Sequence, residues 1–537
     1  MKLTREGIAD CKAWMEHGYH LPQYDIDAMA EKTKKEPFWI HFGAGNLFRA
    51  FHARIVSELL DRGALDRGLI VTDGFDYELI DRMYRSHDNL GIVATLKVDG
   101  TIVKDVIASV AEAIPLDEKN EVAFTRLREI FMKDSLQMAT FTITEKGYML
   151  KDASGNYRRD VQEDFERGPA GAGSYIGKVT SLLYARFLVG KKPIAMISTD
   201  NCSHNGDRLY KAIAEYAYRW KENGVADARF VDYIESDAVS FPWSMIDKIT
   251  PRPDEGVEAL LKQDGVEDVE PILTERNTYA ASFVNAEETQ YLVIEDNFPN
   301  GHETLQAEGV FLADRETVDQ VEKMKVCTCL NPLHTCLAIF GCLLGYDRIS
   351  EEMKDPELKH MIEIIGYEEG LPVVTDPEIL DPTEFLRTVL EVRLPNPFMP
   401  DTPQRIATDT SQKLAIRFGE TIKAYMRTPG LEASSLRMIP LVLAGWIRYL
   451  MAIDDEGKPF TLSADPMLPQ LCPLVEGITW ADDHAAERIR PILEDTQIFG
   501  VNLEKAGLAE KVCGCFTEMI KGPGAVRATL KKYGTEV

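Results

Sequence analysis

The sequence predicts an α/β chain in two parts: an N-terminal, largely parallel sheet flanked by helices, and a mostly α-helical C-terminal domain. Three observations predict it. β-type runs alternate with helical patterns up to about residue 300, a glycine-rich turn joins the first main run to the helix after it, and past about residue 305 strand-like runs become rare. Alternation of this kind marks a parallel sheet, because parallel neighbours need a crossover long enough to hold a helix.

The elements follow in order. The first 35 residues read as polar and helical. Pro37 then opens a strand over Phe38 to Phe42, and the Gly43-Ala44-Gly45 turn leads into an amphipathic helix from about Leu47 to Leu60. A second strand, Gly68 to Thr72, ends at Asp73. Further β-type runs at Ile92 to Lys97, Met138 to Ile143 and Ile194 to Ser198 have helical patterns between them, at Asn120 to Met132 and Ile176 to Val189. After the turn Asn297 to Gly301 the long patterns are helical: Thr335 to Leu344, Pro382 to Val392, Thr410 to Met426 and Leu436 to Met451. The domain boundary is placed near residue 305, with an active site expected between the domains, at the carboxyl ends of parallel strands.

Composition bounds the function. Sixty Lys and Arg against 87 Asp and Glu give a net charge of -27, which speaks against nucleic acid or an anionic membrane as partner. An anionic small substrate stays open if a few cations gather locally. Lys2, Arg5, Glu6, Asp10 and Lys12 interrupt any leader-like apolar core, and the apolar stretches Cys336 to Tyr346 and Met438 to Ile447 are short for a bilayer span. A cytoplasmic location is expected. The nine cysteines fit reduced thiols. Cys327, Cys329, His334 and Cys336 lack a CxxC pair and a second ligand cluster, so no metal is expected.

Gly43 and Gly45 sit where a strand turns into a helix, which is how a dinucleotide-binding (Rossmann-type) turn approaches a pyrophosphate. The usual third glycine is replaced by Phe48. Asp73 ends the second strand, 28 residues after Gly45, where a carboxylate accepts from ribose hydroxyls and repels a 2′-phosphate. Together they favour NAD over NADP.

Several segments together resemble the mannitol dehydrogenase family, over roughly residues 38 to 450. His41 to Ala50, with Asn46 and Arg49, is similar to that family's cofactor turn. Thr142 to Tyr148 is similar to its TxTExGY segment and Asp200 to Gly206 to its DNxxxNG segment. Phe241 to Pro251 resembles the family signature, with Ile246 and Lys248 in place of Val and Arg. Lys325, then Asn331 and His334, resemble its catalytic Lys…Asn-x-x-His arrangement, and Arg393, Asn396-Pro397 and Asp409 to Lys413 resemble its RFxNP and DGSxK segments. One departure stands out: the family has four residues between lysine and asparagine, and here five separate Lys325 from Asn331. Pro332 suggests Asn331 as N-cap of a new helix with Pro332 at its first position, the extra residue being absorbed before it, and Lys323 is the fallback lysine.

The resemblance implies a Rossmann-type NAD-binding domain with a helical N-terminal extension over 1–305, and a helical substrate-binding and catalytic domain over 306–537. It implies Lys325 as general base, with Asn201 and Asn331 steadying the oxyanion and His334 orienting lysine or substrate. Glu145 follows as a proton relay, Asp247 and Arg393 as substrate contacts, and Arg393, Lys413 or Lys248 as partner for a carboxylate. Gly43, Gly45, Asn46, Arg49 and Asp73 are implied at the cofactor. No metal is needed, because the lysine takes its role. Within the family the wording resembles the fructuronate reductase (D-mannonate oxidoreductase) branch, which implies a small-molecule sugar acid. Tagaturonate, a neutral polyol as in mannitol 2-dehydrogenase, or a non-catalytic sugar- or nucleotide-binding regulator remain as alternatives, and monomer or dimer is left open.

Overall fold

In a computed structural model, residues 1–303, 305 and 307–535 are described. The chain forms two compact units: Met1–Lys97 with Thr101–Asp319, and Val98–Gly100 with Gln320–Val537.

The first unit is built on six strands: β1 (Trp39–Phe42), β2 (Leu69–Asp73), β3 (Val110–Pro115), β4 (Met138–Phe141), β5 (Ile194–Ser198) and β6 (Val239–Ser240). They lie in the order β3-β2-β1-β4-β5-β6, and every pair is parallel. That is the doubly wound order of a Rossmann sheet. The strands read as continuous apolar runs because helices cover both faces. Ile40 and Phe42 pack into the core on one side, with α2 (Glu121–Phe131), α3 (Tyr175–Leu188) and α4 (Asn205–Glu222), and Trp39 into the core on the other, with α1 (Ala53–Asp61).

Not every β-type run joins this sheet. Gly91–Leu96 pairs antiparallel with Ile102–Ile107 in a separate four-stranded sheet. The connection through Asp99-Gly100, with Gly100 at φ 87°, is a hairpin too short for a helical crossover. A further sheet joins β7 (Ser244–Asp247), β8 (Tyr291–Glu295) and β9 (Val310–Ala313). The parallel pairing of β9 with β8 keeps residues 310–313 in the first compact unit, which runs to Asp319.

The second unit is helical. Its core is centred on α6 (Asn331–Leu344) and α7 (Met438–Tyr449), in which every α7 side chain is buried, as befits a helix apolar all round. α5 (Arg315–Lys323), a π turn over Met324–Cys329 and α6 make one helical run, Arg315–Leu344. Among the described residues only this run passes a length-and-composition test for a membrane span, yet 78% of its apolar window is buried in the protein, which marks a core helix.

Candidate active site

The glycine turn follows directly from β1. Gly43 takes φ 115°, and a Cβ there would stand 2.2 Å from the Thr142 carbonyl oxygen, so only glycine fits. A Cβ on Gly45 would meet no atom within 4 Å, leaving open space over the start of the helix. The third glycine is dispensable because the helix widens into a π turn at Phe48–His52, and the Phe48 ring stacks on His41 at 4.4 Å. Asp73 closes the turn from β2: Oδ2 accepts from the Ala44 N–H at 2.9 Å, and Oδ1 from Phe75 and Asp76 at 2.8 Å each. Burial pushes its carboxyl up while those three donors pull it back. This geometry fits a dinucleotide: open backbone at a helix start, with a carboxylate fixed beside it. Asn46 is half-buried in the first turn. Arg49 is buried and points elsewhere, donating to the carbonyls of Ala281 and Ser282 at 2.8 Å each.

A second node forms at the end of β5. Asp200 accepts from the N–H groups of Ile143 and Thr144 at 2.9 Å each and from the Tyr148 hydroxyl. Thr144 is held at φ 62°, strained for a β-branched residue, and the carboxylate holds that turn. Asn205 donates to the Asp200 carbonyl and to Ser244, and the Ser244 N–H donates back to it at 3.0 Å. A Cβ on Gly206 would stand 2.5 Å from the Phe241 carbonyl oxygen. These contacts explain both quoted segments as a clamp between α4 and β7. Asn201, next to Asp200, is exposed. Glu145 is an exposed partner of Arg208 at 2.6 Å, Asp247 is buried at the end of β7, and the Lys248 amine donates to the Glu287 carbonyl at 2.6 Å and to Gln290 at 3.0 Å.

The extra residue beside Lys325 is absorbed inside the helix. Within the π turn Met324–Cys329 the Leu330 N–H donates to the Lys325 carbonyl at 3.1 Å, a five-residue step. The π turn holds Lys325 just before the break at Leu330, from which Asn331 starts the next helix. Lys325 is 4% exposed, whereas Lys323 faces solvent. The cap differs by one position from the expected one: Leu330, at φ -126° and ψ -61°, breaks the helix, Asn331 is its first residue and Pro332 its second.

His334, one turn into α6, has its Nε2 3.4 Å from Oδ2 of Asp401, without hydrogen-bond geometry. Burial lowers its pKa to about 3, helped by Arg417, Arg405, Arg393 and Lys413. Four cations thus gather around one neutral imidazole, with Asp401 among them. Arg405 pairs with Asp401, the Lys413 amine donates to the Thr408 carbonyl, and Arg393 is buried at the end of the π turn Val389–Arg393.

Comparison with known proteins matches this architecture. Residues 38–307 match the mannitol dehydrogenase Rossmann domain and residues 317–520 the mannitol dehydrogenase C-terminal domain. The chain belongs to the mannitol dehydrogenase family. As a member it is an oxidoreductase. A D-mannonate oxidoreductase of Thermotoga maritima is 51% identical over 535 residues, 99% of each chain. A second D-mannonate oxidoreductase, from Escherichia coli, is 28% identical over 88% of this chain and 91% of its own. The fold is shared with a D-sorbitol dehydrogenase at TM-score 0.78 and 22% identity, over 96% and 97% of the two chains. It is also shared with Pseudomonas fluorescens mannitol 2-dehydrogenase, solved with NAD and D-mannitol, at TM-score 0.68 and 24% identity over 99% of both.

In this mannitol dehydrogenase family member, the residues named from sequence fall into two local groups. Gly43, Gly45, Asn46 and Asp73 share the first-unit turn, while Lys325, Asn331, His334 and Arg393 belong to the helical unit. Asp200, Asp401, Arg405 and Arg417 were not singled out. Asp200 precedes a quoted asparagine and Arg417 follows Lys413 by four residues, so both lay within reach of the motifs.

Proposed function

We propose that this chain is an NAD-dependent oxidoreductase interconverting D-fructuronate and D-mannonate, with Lys325 as the proton-transfer group. The observation that carries the mechanism is that Lys325 is buried in a π turn just before Asn331 opens the next helix. Identity of 51% with a D-mannonate oxidoreductase supports the substrate, and the cations around His334 favour a sugar acid over a neutral polyol. The residues of the glycine turn fit the cofactor, with Asp73 selecting the unphosphorylated ribose. When bound, NAD(H) supplies or accepts the hydride.

In the oxidising direction the Lys325 amine takes the hydroxyl proton, and in the reducing direction its ammonium returns that proton to the carbonyl oxygen. Neutral His334 accepts or donates a hydrogen bond without adding charge to an already cationic patch. The resemblance assigns oxyanion contacts to Asn201 and Asn331, a relay to Glu145, and substrate contacts to Asp247 and Arg393. Arg49 and Lys248 serve the scaffold in this reading, because Arg49 holds two backbone carbonyls and Lys248 holds the Glu287 carbonyl and the Gln290 side chain. The lysine stands where other dehydrogenases use a metal.

The test is NADH oxidation by chelator-treated protein with D-fructuronate, D-tagaturonate and D-fructose in parallel. Turnover is expected on D-fructuronate, with a loss of about 10²- to 10⁴-fold in Lys325→Ala and none from chelation. NADH binding without turnover on any of the three would leave the regulator alternative standing.

A further inference from the structure

Arg417 lies in the π turn Ala415–Gly419, four residues after Lys413, to whose carbonyl its own N–H is bonded at 2.9 Å. Its guanidinium reaches α6 and donates from one Nη to the hydroxyl of Thr335, the neighbour of His334. That hydroxyl is itself spent, donating to the Asn331 carbonyl at 2.9 Å. A guanidinium has five N–H donors, and among the described residues this one bond is all that Arg417 makes. No described carboxylate comes within 4.0 Å of it. The nearby cations differ: Arg405 is paired with Asp401, and Lys413 with a carbonyl. Burial also pushes the Arg417 guanidinium down, to about 10, which leaves it charged at neutral pH and short of a counter-ion.

Arg417 is half-buried and its remaining donors are open to solvent, so an incoming anion can complete the planar fork. A carboxylate matches that fork with two parallel hydrogen bonds, and a hydroxymethyl group does not. We infer that Arg417 is the specificity-determining residue that takes the carboxylate of the sugar acid, with Thr335 positioning it beside His334. This rests on the sugar-acid reading above and adds to it the residue that separates acid from neutral substrate. None of the candidates read from sequence for that role, Arg393, Lys413 or Lys248, is Arg417.

The experiment compares D-mannonate with its neutral isostere D-mannonamide, using NAD and the full chain, in wild type, Arg417→Met, Arg417→Lys and Thr335→Val. The wild type is expected to prefer the acid. Arg417→Met is expected to lose about 10²-fold in kcat/KM on the acid, mostly through KM, and less than threefold on the amide. Arg417→Lys recovers part of the loss, and Thr335→Val shows a smaller loss in the same direction. NADH affinity, read by fluorescence titration, stays within threefold in all variants, which separates a substrate effect from misfolding. Equal losses on acid and amide, or an acid kcat/KM within threefold of wild type, overturn the assignment while leaving the sugar-acid reading intact. A wild type that turns over the amide but not the acid overturns both.

Discussion

Two arginines, one in each unit, are buried in opposite ways. Arg186 in α3 is fully enclosed, and each of its five donors has a carbonyl: Lys192, Phe131, Lys133, Leu136 and Pro193, at 2.6 to 3.0 Å. Arg417 in the helical unit has one hydroxyl. The first is a structural rivet, gathering the loops that lead into β4 and β5 around a charge whose hydrogen bonds are complete. The second is half-buried, with one hydrogen bond to the protein and its other donors open to solvent. A buried charge with all its partners belongs to the fold, and one left open is held for a ligand.

The strongest way to break this comparison is to remove the rivet. Arg186→Met leaves five carbonyls without their donor, and a cost of about 3–5 kcal/mol is expected in urea denaturation. A variant within about 1 kcal/mol of wild type would mean that the five bonds do not secure the fold, and the contrast with Arg417 would lose its basis.

The histidines give a middle-sized test. Burial lowers His52 in the first unit to about 3, and burial with four cations does the same for His334 in the second. An unfolded histidine takes its proton near 6.5, so each site's contribution is complete above that pH and is lost as pH falls toward about 3. Between pH 7 and 5 each histidine should cost about 2 kcal/mol of stability. Urea midpoints at the two pH values measure it, and His52→Gln should flatten the slope by about 1 kcal/mol per pH unit, the rest staying with His334 and the likewise lowered His41 and His87. D-mannonate at saturation should relieve only the His334 part, since an anion on Arg417 raises that imidazole's pKa and leaves His52 untouched. A slope unchanged by His52→Gln would contradict the assignment of this site.

Much of this was legible in the sequence, and what was not has a common cause. The strand-turn-helix at Gly43 and the carboxylate ending the second strand follow from local periodicity, and so does the helical second unit. The missing third glycine and the extra residue before Asn331 were visible as departures, but their solution was not. Both are absorbed by π turns, at Phe48–His52 and Met324–Cys329, and whether a helix widens depends on what packs against it. The fates of Glu145, paired at the surface with Arg208, and of Lys248, tied to Glu287, depend on partners 63 and 39 residues away. Arg417 is the sharpest case: its position four residues after Lys413 is plain, but its lack of a counter-ion is a property of the folded surroundings.

The smallest expected effect sharpens the comparison most. If Arg417 is unpaired for the sake of a ligand, its removal should cost the free protein nothing. Exchanging a half-buried cation for a methionine gives up one hydrogen bond to Thr335 and a solvated charge, so Arg417→Met should change stability by less than about 1 kcal/mol. That is several-fold smaller than the cost for Arg186→Met, from the same substitution at a residue of the same type. Saturating D-mannonate should then reverse the order: wild type gains stability from ligand bound to the native state, while the variant gains little. Thermal midpoints of both proteins with and without the acid measure all four corners. A destabilised Arg417→Met in the absence of ligand would show that the guanidinium is already satisfied, and would return it to the class of Arg186.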